Sequence, residues 1–173
     1  MTTPEQKPGR SKQDYATPKA FLAAVMHYLD IQRFAFDFAA DEHNAVAPHW
    51  FGITQDALRQ PDWELFCTRG WGWLNPPYAD IGPWAKRCKE TRDHGGQIAF
   101  LVPAGVGSNW FRDYVDGVAK VLFLNGRLCF IPNWRELGFK QKPLYPKDCI
   151  LCLYSPITAP DYEVWDWRKE ISR

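Results

Sequence analysis

The chain has 173 residues, 46% of them hydrophobic, with nine Trp and eleven Phe. This length suits one domain, and the apolar, aromatic composition excludes a disordered protein, while no apolar run reaches the roughly 20 residues of a membrane helix. The net charge of +1 excludes a polycation, and the polar N-terminus has no apolar core of a secretory signal, so we expect a soluble cytoplasmic protein.

The first predicted helix follows a polar arm with Pro and Gly at residues 1–13, which we expect to be flexible. Pro18 suits a first helical turn with Thr17 as the N-cap, and apolar residues recur at helical spacing through 18–30. The ordered domain is therefore predicted to span residues 14–173.

Strands and helices are predicted to alternate through the middle of the chain. Strands are predicted at 34–41, 71–77 and 97–102, and helices at 81–93 and 108–117, the latter with Ser108 as its N-cap. Such alternation is typical of an α/β sheet with mostly parallel strands.

The dipeptide Asn125-Gly126 predicts a β-hairpin. It separates apolar runs at 121–124 and 127–131, and a type I′ turn needs positive φ at both central positions. A last strand is predicted at 148–154, before an acidic, aromatic tail. Together these patterns predict a mostly parallel α/β sheet with antiparallel edge strands.

Five cysteines lie mostly in apolar stretches and are expected to be free thiols. Cys149 and Cys152 have CxxC spacing, but in a strand positions three apart point to opposite faces. Neither a second CxxC nor a pair of His accompanies them, so no metal is predicted.

The segment 133–147 is basic and carries interleaved aromatic residues. Its cations are Arg135, Lys140, Lys142 and Lys147, against the single acid Glu136, and its aromatic residues are Trp134, Phe139 and Tyr145. This composition indicates a local basic loop that could bind a partner, and a solvated loop without a function is an equal alternative.

The predicted strand at 71–77 runs into Asn75-Pro76-Pro77-Tyr78. Ligands of α/β sheets bind at the carboxyl ends of strands, and prolines supply no N–H. The Asn75 side-chain oxygen and the Pro76 carbonyl can therefore both accept hydrogen bonds from one group, and no donor is expected nearby. Two acceptors without a donor suit an amine as the ligand. Tyr78 offers a flat face to a planar ring. The alternative interpretation is a rigid turn that only ends a strand.

These residues resemble the catalytic motif of S-adenosylmethionine-dependent amino-methyltransferases, and the chain resembles the small phage and prophage DNA N6-adenine methyltransferases of the Dam type. The similarity spans about residues 13 to 130. Its ordered motifs are QDYATP at 13–18, FDFAADEHNA at 36–45, WLNPPYADIGPW at 73–84, LVPA at 101–104, NWF at 109–111 and NGRLCF at 125–130.

The resemblance implies a role for individual residues. Asn75 and the Pro76 carbonyl bind the adenine amine, Pro77 holds the turn and Tyr78 stacks on the base. The implied cofactor-binding residues are Tyr15, Thr17, Pro18, Asp37, Ala39, Ala40 and Asp56. Arg127 belongs to the GRL turn of the family and is a candidate DNA-binding residue. From the basic composition of the loop 133–147 we also expect DNA contacts by Arg135, Lys140 and Lys142, with phosphate contacts from Lys7, Arg10 and Lys12. Arg127 could instead meet an acid within the protein.

The resemblance also implies an abbreviated Rossmann-like methyltransferase fold. FDFAAD lacks the Gly-rich loop of the wider superfamily, and the stretch from Asp37 to Asn75 is too short for a full set of strand–helix units. The implied cofactor is S-adenosylmethionine without a metal. The implied partner is double-stranded DNA, and the target adenine is expected to flip out of the duplex into the site. We expect the protein to act as a monomer in the cytoplasm of a bacterial host.

Two other classes of function are open at this point. The same amine chemistry could act on cytosine N4, on RNA or on a protein glutamine. A non-catalytic nucleic-acid-binding remnant of the fold would keep the sheet and lose the cofactor.

Overall fold

The computed structural model describes residues 15–132 and 145–172 of the chain. The strands there are β1 (Tyr15–Ala16), β2 (Phe36–Asp37), β3 (Gly72–Leu74), β4 (Ile98–Pro103), β5 (Lys120–Leu124), β6 (Ile131–Pro132), β7 (Cys149–Tyr154) and β8 (Asp161–Trp165). The α-helices are α1 (Lys19–Tyr28), α2 (Gly82–Asp93) and α3 (Asn109–Tyr114), and short 3-10 helices span Ala57–Arg59, Trp63–Phe66 and Trp167–Ser172.

Six strands form the main sheet, in the order β2-β3-β4-β7-β5-β8. β2, β3 and β4 are parallel to one another, β7 is antiparallel to both of its neighbours, and β8 is parallel to β5. Five of the six strands therefore share one direction. The predicted α/β class, with a mostly parallel sheet of Rossmann-like type, is confirmed.

The antiparallel strand is β7, and it lies inside the sheet rather than at the predicted edge. It pairs with β4 on one side and with β5 on the other. All six of its residues are buried, which suits a central strand covered on both faces. Its Cys149 and Cys152 belong to hydrophobic clusters on opposite faces, as the strand periodicity predicts.

The predicted hairpin at Asn125-Gly126 is wrong. Gly126 has a positive φ of 110°, but Asn125 does not, and the chain after it forms no strand beside β5. Both edges of β5 are already paired, with β7 and with β8. The Asn125 N–H continues this pairing by donating to the Trp165 carbonyl at 2.9 Å. Tertiary pairing with β8, a strand that was not predicted, therefore overrides the local turn signal.

A separate two-stranded sheet joins distant parts of the chain. β1 and β6 pair antiparallel, with Ala16 opposite Ile131. α1 begins directly afterwards, with Pro18 rather than the predicted Thr17 at its N-cap position. Because β1 is pinned by β6, the residues that lead into α1 and those that lead into β6 are held close together.

The core packs on both faces of the main sheet. One hydrophobic cluster lies beneath α2 and α3, where the Phe38 and Trp63 rings stack with centroids 4.3 Å apart. The other lies beneath α1 and contains Phe21 and Trp73. Each fully buried large side chain of this kind contributes about 1.5–3 kcal/mol to folding. The sheet is thus held between two apolar layers.

The cysteines are free thiols. Burial raises the pKa of both the Cys67 and the Cys149 thiols to about 12, so they stay protonated at neutral pH. No set of three or more His, Cys, Asp or Glu in residues 15–132 and 145–172 could hold a metal ion. In the same ranges no helix combines the length and the apolar character that crossing a membrane requires.

A substitution at Gly72 tests the packing behind β3. A Cβ at this position would lie 2.5 Å from the Phe38 Cε2 atom, so Gly72→Ala should overpack the cluster and lower the free energy of unfolding by about 1–3 kcal/mol. Chemical denaturation measures the change. Gly107→Ala is the matched control, because a Cβ there meets no atom within 4 Å. Equal stabilities of the two variants would contradict the prediction.

Candidate active site

The parallel register of β2 and β3 brings Asp37 and Asn75 to one edge of the sheet. Asp37 lies opposite Trp73, and the Phe38 N–H donates to the Trp73 carbonyl at 2.9 Å. β3 ends at Leu74, directly before Asn75. Since parallel strands present their carboxyl ends on the same side, the 75–78 segment faces the chain that leaves β2.

The side-chain amide of Asn75 is hydrogen-bonded at both ends. Its Nδ2 donates to Thr17 Oγ1 at 3.2 Å, and its Oδ1 accepts from the Tyr78 hydroxyl at 2.6 Å. The expectation that Asn75 has no nearby donor is therefore wrong. No hydrogen bond to the Pro76 carbonyl is formed within the described residues, where Pro76 itself is buried.

Tyr78 packs in an aromatic cluster with Phe130 and Tyr145. The Tyr78 centroid lies 6.3 Å from that of Phe130 and 5.8 Å from that of Tyr145, in edge-on contacts. Burial raises the pKa of the Tyr78 hydroxyl well above its ordinary value, which keeps it a neutral donor to Asn75. The sequence assigned no role to Phe130, although it ends the NGRLCF motif.

Asp37 is 2% exposed, and backbone donors engage both of its carboxylate oxygens. Oδ1 accepts from the Ala39 N–H at 3.2 Å and Oδ2 from the Val46 N–H at 3.1 Å. Burial raises the pKa of this carboxyl to about 7, against the opposing effect of these two hydrogen bonds. Asp37 therefore shapes the loop that leaves β2, and the buried Ala39 and Ala40 lie at its start.

Asp56 is not brought to the 75–78 segment. It is exposed, has a φ of 46°, and its carboxylate pairs with Arg59 Nε at 3.1 Å. The nearby chain does reach the edge of the sheet, because the Ala40 N–H donates to the Phe51 carbonyl at 3.1 Å. A cofactor contact by Asp56 stays a prediction.

Arg127 meets an acid within the protein. Its Nε lies 3.0 Å from Asp148 Oδ1, and both side chains are at least half exposed. An exposed pair of this kind contributes about 0–1 kcal/mol, so exchange for another anion costs little.

The remaining predicted contacts lie outside the described residues. They comprise the arm at 1–13 with Lys7, Arg10 and Lys12, and the loop residues Trp134, Arg135, Phe139, Lys140 and Lys142. Of Tyr15 the structure describes the backbone, which pairs with Pro132 in the small sheet.

Sequence comparisons show which known proteins this chain is similar to. A family model described as DNA N-6-adenine-methyltransferase (Dam) matches residues 5–164. A curated relative, the DNA N-6-adenine-methyltransferase of Escherichia phage T1, is 27% identical over 121 residues. That match covers 66% of this chain and 45% of the relative, so the chain matches less than half of the relative's length.

The buried carboxyl of Asp37 predicts a dependence of stability on pH. The folded protein holds this proton up to about pH 7, whereas the unfolded chain releases it near the ordinary value of 3.8. The free energy of unfolding should therefore fall as pH rises between these values, by at most about 1.4 kcal/mol per pH unit from this group.

Denaturation of the wild type and of Asp37→Asn at pH 5, 6 and 7 measures this slope. All other titrating groups are common to the two proteins, so the wild type should lose more stability per pH unit than the variant. Parallel curves would contradict the assignment.

Proposed function

The chain belongs to the DNA N-6-adenine-methyltransferase (Dam) family, and from that premise we propose that it transfers a methyl group to the N6 amine of adenine in double-stranded DNA. One observation carries the proposal. The Asn75 side-chain oxygen and the Pro76 carbonyl, which is unpaired within the described residues, lie directly after β3, whose parallel partner β2 ends at Asp37.

The reaction requires two hydrogen-bond acceptors from the protein. The lone pair of an adenine amine is delocalised into the ring, which makes the nitrogen a poor nucleophile. Asn75 Oδ1 and the Pro76 carbonyl can each accept one of the two amine protons, which favours a pyramidal nitrogen with its lone pair directed at the methyl donor. The chain thus contributes position and polarity, without a covalent intermediate on the enzyme.

The residues at this edge fit S-adenosylmethionine as the donor. The small side chains of Ala39 and Ala40 follow the carboxyl end of β2, which is where ligands of open α/β sheets bind. Bound there, S-adenosylmethionine supplies a methyl group activated by a sulfonium sulfur. Asp37 shapes such a pocket through the Ala39 and Val46 N–H groups that donate to its oxygens, and a direct contact between Asp37 and the cofactor stays a prediction.

Tyr78 is the residue that we propose holds a flipped adenine. A base in duplex DNA must leave the stack to reach the site, at a cost of a few kcal/mol that stacking on an aromatic ring offsets. An amide oxygen has two lone pairs, so Asn75 Oδ1 can accept from the substrate amine while the Tyr78 hydroxyl stays bound. Tyr78 can therefore stack on the base with its ring and, at the same time, orient Asn75 with its hydroxyl.

The DNA backbone is proposed to lie near Arg127. Its exposed pair with Asp148 is weak enough for a phosphate to replace the carboxylate, and the exposed Lys147 is a neighbour of that acid in sequence. The basic residues Arg135, Lys140 and Lys142 stay predictions for the same surface. A monomer acting in the cytoplasm of a bacterial host completes the proposal.

The test of the proposed function is nucleoside mass spectrometry on unmethylated DNA incubated with the protein and S-adenosylmethionine. We expect N6-methyladenine. N4-methylcytosine would keep the amine chemistry and change the base. Cofactor binding without a methylated nucleoside would point to RNA or protein, and the absence of both would favour a non-catalytic remnant.

Asn75→Ala removes one of the two amine acceptors. Because this oxygen acts on the reacting nitrogen, we expect kcat to fall by at least about 100-fold, with little change in the affinity for S-adenosylmethionine. Methyl transfer and calorimetry measure the two quantities, and thermal unfolding checks that the variant folds. Full activity in a folded variant would remove the catalytic assignment of Asn75.

Tyr78→Ala removes the stacking surface, and Tyr78→Phe is its matched control. We expect kcat/KM for DNA to fall by roughly 5- to 150-fold in the Ala variant, because base–aromatic stacking is worth about 1–3 kcal/mol. The Phe variant loses only a hydrogen bond to Asn75 and should lose less than about tenfold. Equal losses would show that the hydroxyl, and not the ring, is the functional part.

A further inference from the structure

Thr17 lies against the Asn75 side chain although 58 residues separate them in the chain. It is only 6% exposed, and its Oγ1 accepts the Asn75 Nδ2 hydrogen bond at 3.2 Å. The resemblance to the methyltransferase family implies a cofactor-binding role for this residue. The observed contact is instead with the side chain that binds the substrate amine in the proposed function.

The backbone on both sides of Thr17 is fixed. Ala16 pairs with Ile131 in the small sheet, and Pro18 begins the hydrogen bonding of α1 by accepting from the Leu22 N–H at 3.1 Å. A β-branched side chain has few χ1 rotamers, so Oγ1 has little freedom to move. Thr17 therefore presents a fixed acceptor to Asn75.

The chemistry of the amide explains why such an acceptor is needed. When the substrate amine donates to Asn75 Oδ1, the other end of the amide is an NH₂ group in a partly buried place, and an unpaired NH₂ there costs free energy. A reversed amide would point its NH₂ at the substrate amine, so two donors would face each other.

We propose that Thr17 is a positioning residue, which holds the Asn75 amide so that its oxygen faces the adenine amine. This inference rests on the proposed function, because it assigns Thr17 to the same site. It differs from a cofactor-binding role in a measurable way. A positioning residue changes kcat through Asn75, whereas a cofactor-binding residue changes the affinity for S-adenosylmethionine.

The experiment compares Thr17→Val, which keeps the shape and removes the hydroxyl, with Thr17→Ser, which keeps the hydroxyl and removes the methyl group. We expect the Val variant to lose about 10- to 100-fold in kcat and to bind S-adenosylmethionine within about threefold of the wild type. The Ser variant should recover most of the lost kcat. Thermal unfolding is recorded for both variants.

A second readout does not depend on activity. The side-chain amide of Asn75 gives its own NMR signal, and loss of the Thr17 acceptor should shift this signal and speed its hydrogen exchange in Thr17→Val but not in Thr17→Ser. An unchanged Asn75 signal in the Val variant would overturn the inference, even in a protein preparation that transfers no methyl group.

The kinetic outcomes separate this inference from the proposed function. An unchanged kcat in Thr17→Val, or a weaker cofactor affinity with kcat unchanged, overturns the role of Thr17 while Asn75→Ala still abolishes transfer. Equal damage in the Val and Ser variants also overturns it, since the hydroxyl would not then be the active group. Full activity of Asn75→Ala instead removes the catalytic assignment of Asn75, and the role of Thr17 with it. Absence of N6-methyladenine with the wild type is the outcome that counts against the proposed function.

Discussion

The parallel pairing of β2 with β3 is the constraint on which the rest of the site depends. The two strands are parallel, with Asp37 opposite Trp73, so their carboxyl ends lie at the same edge of the sheet. The chain segments that follow the two strands therefore begin side by side. A shift of β2 by one residue against β3 would turn the side chains of β2 to the opposite faces of the sheet. Gly72 at the start of β3 allows the close approach of Phe38 that keeps this register.

A buried carboxyl group and a buried polar contact both lie at the carboxyl edge of β2 and β3, and burying them lowers the stability of the fold. Burial disfavours the charged form of the Asp37 carboxyl, which is why its pKa is raised to about 7. In return its oxygens hold the Ala39 and Val46 N–H groups and shape the loop beyond β2. Burial of the apolar layers on both faces of the sheet offsets the free energy that the buried polar groups cost.

The small β1–β6 sheet closes the site from the other side. By holding Ala16 against Ile131 it brings Thr17 to the Asn75 amide and Phe130 to the Tyr78 ring. The 75–78 segment is thus oriented by parts of the chain that lie far from it in sequence. Contacts from distant residues thus hold the Asn75 and Tyr78 side chains in place in a chain that lacks a Gly-rich loop after β2.

Much of the fold was predictable because its signals are local. The helical spacing around Phe21, the apolar runs of β4 and β7, and the α2 boundaries depend on residues that are neighbours in sequence, and the structure confirms them. The hairpin at Asn125-Gly126 failed because a local turn preference is small compared with the pairing of two long strands. β8 was missed because the alternation of Tyr162 and Val164 with the acids Asp161 and Glu163 covers only four residues of an acidic tail.

The sequence by itself determined which polar groups follow β3, since Asn75 and two prolines at the end of an apolar run already define two acceptors and exclude local donors on the backbone. Only the tertiary structure decided which distant residues contact this segment, with Thr17 at the Asn75 Nδ2 atom and Phe130 at the Tyr78 ring. Thr17 and Phe130 carry no local sign of contact with the 75–78 segment, because the β1–β6 pairing that brings them there joins residues more than a hundred positions apart. Long-range pairing of this kind leaves no periodic pattern in a sequence.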